Sequence, residues 1–238
     1  MVILKSIVSI NKNIKMANTL LSLNEATRTV NSGSNKVTLL DNITIQVKEG
    51  EFISLMGPSG SGKSTLLNCI GMLDNFTGGG YTFLGEPVHS MKERNRSKLY
   101  KEYIGFVFQA YHLIDELTVW ENIETPLLYK NVKSSERKAL VADMLDHFNI
   151  VGKKDLFPIQ LSGGQQQLVG VARALIGKPK LILADEPTGN LNSKQSEEIM
   201  ELFSELNKEG VTIIQATHSE SNASYGSRII NLLDGKIV

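Results

Sequence analysis

Cysteine is almost absent: Cys69 is the single one in 238 residues. One thiol excludes an internal disulfide and any zinc site built on cysteines. Net charge is absent as well. Lys and Arg total 25, Asp and Glu total 25, and the formal charge at pH 7 is zero. Without a bulk basic excess, overall charge cannot hold a nucleic-acid backbone or an anionic membrane. No apolar run reaches the ~18 residues of a membrane-spanning helix. Met1 to Ile10 has the apolar look of a leader, but Lys5 interrupts it and no small-residue cleavage site ends it. Residues 1–19 are therefore expected to be a loosely attached extension, with the fold starting at Leu20. Internal repeats and low-complexity tracts are missing too. What remains is 41% apolar and 21% charged, the balance of a folded globular chain.

The hydrophobic pattern alternates between strand and helix. Leu20–Leu23 and Val37–Leu40 are short β-like runs around a polar turn, Asn31 to Asn35. Ile43 to Val47 alternates apolar and polar, as a half-buried strand does. Phe52–Met56 is a short apolar run expected to be a buried strand. A helix is predicted from Lys63 to about Leu73, then a break at Gly78-Gly79-Gly80 before a strand from Tyr81 to Leu84. Residues 91–160 are richer in helix formers, with helices at Lys92–Tyr103, Val119–Leu128 and Ser134–Phe148. Ser134, Ser135 and Glu136 offer a cap for the third. From Ser162 the α/β alternation resumes: a helix to Ile176, a buried strand at Leu181–Ala184, a helix at Lys194–Lys208, a strand at Val211–Ile214, and a hairpin turning at Asp234-Gly235. The expectation is one α/β core over 20–238, interrupted by a helical insert of about 91–160.

Two motifs carry chemistry. Gly57-Pro58-Ser59-Gly60-Ser61-Gly62-Lys63-Ser64-Thr65 fits the phosphate-loop pattern G-x-x-x-x-G-K-[ST], with a buried strand before it and a helix after it. Its glycines let backbone N–H groups converge on phosphate oxygens, and the helix start adds partial positive charge there. Lys63 brings a full charge to the β- and γ-phosphates. The Ser64 hydroxyl is a hard oxygen suited to Mg²⁺. Alone, this pattern means a bound nucleoside triphosphate. The second motif is the apolar strand Leu181–Ala184 ending in Asp185-Glu186. Open α/β sheets place ligands at the carboxyl ends of their strands. Asp185 is thus a candidate Mg²⁺ ligand, and Glu186 a candidate general base for an attacking water.

Leu161-Ser162-Gly163-Gly164-Gln165 decides the class. With it, the chain resembles the ATP-binding subunits of ATP-binding-cassette (ABC) transporters. The ordered set is the phosphate loop 57–65, Gln109, Leu161–Gln165, Asp185-Glu186-Pro187-Thr188 and His218. The stretches Ile104–Gln109, Leu117–Ile123 and Ala184–Leu191 make it similar to the lipoprotein-release and macrolide-export type. The resemblance implies a phosphate-loop cassette of α/β class: a RecA-like mixed-sheet core, an antiparallel β subdomain and a helical insert. It implies hydrolysis of ATP with Mg²⁺, an ATP-dependent dimer with a second copy, and an integral-membrane permease partner at the cytoplasmic face of the membrane. No nucleic-acid partner is expected.

It also implies roles for single residues. Gln109 would touch Mg²⁺ and water; Ser162, Gly163, Gly164 and Gln165 would meet the ATP held by the other copy. His218 would contact the γ-phosphate and steady Glu186, while His89, His112 and His147 are left as structural. Four positions depart from the family pattern. Val30 stands where a Tyr usually stacks on adenine, Leu168 where an Arg is usual, and Asn192 and Ser219 where Asp is common. Two other readings stay open on sequence alone. One is a cassette that regulates cell-wall enzymes through a membrane partner. The other is a soluble ABC-type ATPase acting on nucleic acid, whose relatives carry coiled-coil insertions, zinc-binding cysteines or two cassettes in one chain.

Overall fold

The structure, a computed structural model, describes residues 18–33 and 35–238. The expected extension at 1–19 lies almost wholly outside the described residues, as does Ser34 of the expected turn. Strand β1 (Thr19–Ser32) runs directly into a hairpin with β2 (Asn35–Lys48), Ser32 pairing with Asn35. Both strands are longer than the short runs expected, because an antiparallel sheet with one solvated face tolerates polar residues along its strands. In β2 the alternation Ile43, Ile45, Val47 buries one face and leaves Thr44 and Gln46 exposed.

The glycine run is not a break. Gly78–Phe83 forms β4, which pairs antiparallel with β1 through Asn24↔Gly80 and Thr27↔Gly78. Gly79 lets β4 lie close against the bulged part of β1, since a Cβ there would strike the Glu25 carbonyl. With the short β5 (Glu86–Pro87), they complete a four-stranded antiparallel sheet in the order β2-β1-β4-β5.

The second sheet has six strands: β3 (Phe52–Met56), β6 (Ile104–Phe108), β7 (Leu181–Asp185), β8 (Thr212–Thr217), β9 (Arg228–Leu233) and β10 (Lys236–Ile237). Their order is β10-β9-β3-β8-β7-β6, parallel except for the β9–β10 hairpin. Asp234 and Gly235 turn that hairpin with φ of 47° and 75°, a pair of left-handed residues that suits the twist of the flanking strands. The central strands are buried on both faces, which is why they read as continuous apolar runs.

Helix α1 (Lys63–Ile70) lies between the two sheets, with Leu66, Leu67, Cys69 and Ile70 buried in a core shared with Leu23, Leu40, Leu55 and Leu183. The opposite face of the parallel sheet is covered by a second core. It is built by α3 (Val119–Tyr129), α4 (Ser134–His147), α5 (Gly163–Ile176) and α6 (Ser193–Lys208).

Two expectations about residues 91–160 need correction. Strand β6 lies inside that range and is a core strand paired with β7. Its preceding helix α2 (Glu93–Tyr103) sets Leu99, Tyr100 and Tyr103 against the first core. The helices outside the α/β core therefore begin after Gln109, not at 91. β6 starts at Ile104 directly after α2 ends at Tyr103, so no turn residue marked its apolar run off from the helix formers before it. At α4 the N-cap is Lys133, with no side-chain cap; Ser134 is already helical.

Candidate active site

Strand register brings the motifs together. Phe108 is level with Asp185, Asp185 with Ala216, and Met56 with Thr217. The residues that leave these strands are Gln109, Glu186, His218 and Gly57, so all four emerge at one carboxyl edge of the parallel sheet.

Gly57 starts the loop with φ of 152°, and a Cβ there would collide with the Leu232 carbonyl. Only glycine lets the chain turn this close to β9. The loop ends at Gly62, which gives α1 no side-chain cap. The amides of Lys63, Ser64 and Thr65 are then donors that a helix start leaves unsatisfied. Lys63 is buried, and its Nζ donates to the carbonyl oxygens of Gly57 and Pro58 at 2.7 and 3.1 Å. The ammonium is thereby held over the loop it encloses. Pro58, Ser59 and Gly60 are exposed, whereas Ser61 is buried.

Ser64 Oγ donates to Asp185 Oδ1 at 3.0 Å. Burial pushes the Asp185 carboxyl above its ordinary value; the Ser64 hydrogen bond opposes this, the Glu186 carboxylate adds to it, and Lys63 opposes it. A bound cation would offset that burial cost. Glu186 takes a left-handed backbone at φ 46°, and its N–H donates to Ala216 O at 3.0 Å. This turn swings its side chain away from Asp185 and onto His218, whose Nδ1 lies 3.0 Å from Glu186 Oε1. The His218 side chain is 71% exposed and that of Glu186 only 16%. Gln109 Nε2 reaches Asn190 Oδ1 at 3.4 Å, and Asn190 Nδ2 donates back to the Gln109 carbonyl at 2.9 Å.

This donor set fits a triphosphate with a hard cation. Among the described residues no group of three or more His, Cys, Asp or Glu is placed to hold a metal. A metal here would need oxygens from its substrate, and Mg²⁺ uses one or two protein ligands plus phosphates in that way.

The signature residues form a separate corner. Ser162 caps α5: its Oγ accepts from Gln165 N at 3.4 Å, and Gln165 Oε1 accepts from Ser162 N at 3.0 Å. A cap of this kind is worth ~1 kcal/mol. Gly163 faces the Tyr111 hydroxyl, and a Cβ at Gly164 would strike Gln195. Among the described residues no hydrogen bond joins 162–165 to 57–65.

Two residues without an expected role help build the site. Asn190 holds Gln109, as described. Arg173 donates to Tyr111 O at 2.9 Å and to His112 O at 2.6 Å, gripping two residues with positive φ just after Gln109. Neither contact has a local sequence signal, since each spans 60 residues or more. Two departures also find a physical reading. Asn192 Oδ1 caps α6 through Gln195 N at 3.0 Å, and Ser219 Oγ caps the short helix α7 (Glu220–Ala223) through Asn222 N at 3.3 Å. Asn and Ser cap as well as Asp does, without its charge. Leu168 packs on the second core, and Val30 pairs with Val37 in the β1–β2 hairpin.

Residues 40–189 match the ABC transporter family. An uncharacterized ABC transporter ATP-binding protein of Bacillus subtilis, YvrO, is 43% identical over 92% of this chain and 96% of its own. The macrolide export ATP-binding/permease protein MacB of Chlorobium luteolum is 42% identical over 92% of this chain, which spans 33% of MacB. Among solved structures, a dimeric post-hydrolysis state of the cassette MJ0796 bound to ADP and Pi superposes with a TM-score of 0.85. It is 41% identical and covers 91% of this chain and 96% of its own. The chain belongs to the ABC transporter family, as an α/β ATP-binding cassette that hydrolyses ATP with Mg²⁺.

Proposed function

We propose that two copies of this chain close on two ATP molecules and drive a membrane permease of the export or lipoprotein-release type from its cytoplasmic face. The observation that carries the reading is the split of the phosphate-binding groups. One helix start, at α1, stands beside Lys63, Asp185 and Glu186; the other, at α5, has no catalytic group beside it among the described residues. A second copy would bring its Ser162, Gly163, Gly164 and Gln165 to the γ-phosphate held by the first. The dimeric cassette with ADP and Pi supports that arrangement, and the permease fused in MacB supports a membrane partner. Among the described residues no helix is long and apolar enough to cross a membrane, so a permease would be a separate polypeptide or segment.

In this reading the amides of Gly60 and 62–65 and the Lys63 ammonium bind the phosphates. Ser64, Asp185 and Gln109 would hold Mg²⁺, which when bound neutralises charge on the β- and γ-phosphates. Glu186 takes a proton from the attacking water, and His218 orients its carboxylate. Tyr111 to Ile114 follow Gln109 after Ala110, and the Tyr111 hydroxyl lies at Gly163, which makes this segment the expected seat of the permease.

The test is oligomeric state. With Glu186→Gln to block hydrolysis, light scattering at saturating ATP and high protein concentration is expected to give a two-fold dimer, and ADP a monomer. A persistent monomer in ATP would overturn the proposal.

A further inference from the structure

Helix α7 has four residues and buries only Ala223. One turn cannot hold itself by backbone bonds, and one Ala offers little apolar area. Buried polar side chains hold it instead. Ser54 Oγ on β3 donates to Ala223 O at 2.9 Å. Gln215, fully buried on β8, donates through Nε2 to Ser54 Oγ at 2.9 Å and to Asn222 O at 2.8 Å. From this anchored turn, Asn222 Nδ2 donates to Thr188 Oγ1 at 2.7 Å. Thr188 is buried and sits two residues after Glu186, while Asn222 sits four residues after His218.

The bond closes a ring. Its members are Glu186, Thr188, Asn222, Ser219 and His218, and its last link is the 3.0 Å His218–Glu186 contact. The β7–β8 register and the Glu186 N–H bond to Ala216 O set the two backbones, but the His218 side chain is 71% exposed, so the ring adds the contacts that hold the segment after β8 toward the carboxylate. We propose that Asn222 is a positioning residue: by tying α7 to Thr188 it sets the separation of Glu186 and His218 for water activation. The inference rests on the reading of Glu186 as the base.

In steady-state ATPase assays of the full chain, Asn222→Leu is expected to lower kcat about 10- to 100-fold, the scale of a small misplacement of catalytic groups. KM for ATP should change less than twofold, because the phosphate loop is untouched. Thr188→Val, which keeps volume in a buried position, should give the same split, and it carries the test alone if Asn222→Leu does not fold. In the double variant no buried hydroxyl is left without its partner, so thermal stability should recover while kcat stays low. Recovery of kcat together with stability, or an unchanged kcat in either single variant, would overturn the positioning role. Glu186→Gln assayed alongside separates the two layers. If it turns over like wild type, the base assignment falls and takes the role of Asn222 with it. If it is inactive while Asn222→Leu and Thr188→Val keep full kcat, only the positioning role falls.

Discussion

The phosphate loop and the signature loop use the same device, a glycine-rich segment opening a helix, and leave it in opposite states. At α1 no side chain caps the helix start, and Lys63, Ser64, Asp185 and Glu186 stand around the free amides. At α5 a capping box of Ser162 and Gln165 satisfies the helix start locally. The first corner holds charge against its own burial cost and is built for chemistry. The second is stable in itself and carries no titratable catalytic group. The lesson is that one local device serves two ends: an open helix start among charged groups, and a helix start bonded by its own side chains.

The largest expected effect separates these halves. Glu186→Gln should cut turnover roughly 10²–10⁴-fold, the usual contribution of a placed general base, and keep ATP binding. Ser162→Ala should leave ATP affinity of a single chain unchanged, lower stability by ~1 kcal/mol through the lost cap, and lower turnover. Turnover assays with nucleotide titration check both. Equal turnover in wild type and Glu186→Gln would move the base elsewhere.

A smaller effect concerns the base of the nucleotide. Val30, in the β1–β2 hairpin, replaces the aromatic that the family resemblance leads one to expect. Base–aromatic stacking is worth roughly 1–3 kcal/mol, so Val30→Tyr should tighten ATP about 5- to 150-fold. Wild type should discriminate ATP from GTP poorly. Titration with both nucleotides decides this, and unchanged ATP affinity in Val30→Tyr would place the base away from Val30.

The smallest effect tests the burial cost at the first corner. Asp185→Asn should slightly raise the melting temperature of the nucleotide-free protein. The Asp185 carboxyl is held above its ordinary value by burial. Stability from its neutral form is full below the usual Asp value near ~4 and is lost as pH rises through the raised one. The difference between variant and wild type should therefore be present at neutral pH and close toward pH ~4. A melting temperature that falls in Asp185→Asn at neutral pH would show that the carboxylate stabilises the empty site.

Much of the site was legible because its parts are local. The phosphate loop needs a fixed glycine spacing between a strand and a helix, and Asp185-Glu186 end a continuous apolar run. Ser162 is legible as a cap because Gln165 follows it by three residues. β6 was not legible as a strand, since it follows a helix with no turn residue between them and helix formers surround it. The start of β4 was hidden, though its Tyr81–Phe83 part was legible, because glycines that normally break structure pair here with a bulged neighbour. Arg173, Asn190 and Asn222 left no trace, because their partners are distant in the chain.

The sequence by itself determined the class of chemistry: a triphosphate cradle, a carboxylate pair and a second anion loop, each written in a few adjacent residues. It also determined the strands and helices whose apolar period is strong. Only the tertiary structure decided which of these meet. Gln109, Glu186, His218 and Gly57 share one edge because four parallel strands lie in register, and register is set by packing both faces of the sheet, not by any local run. The same packing puts Ser162 at a separate corner, with no hydrogen bond among the described residues between 162–165 and 57–65.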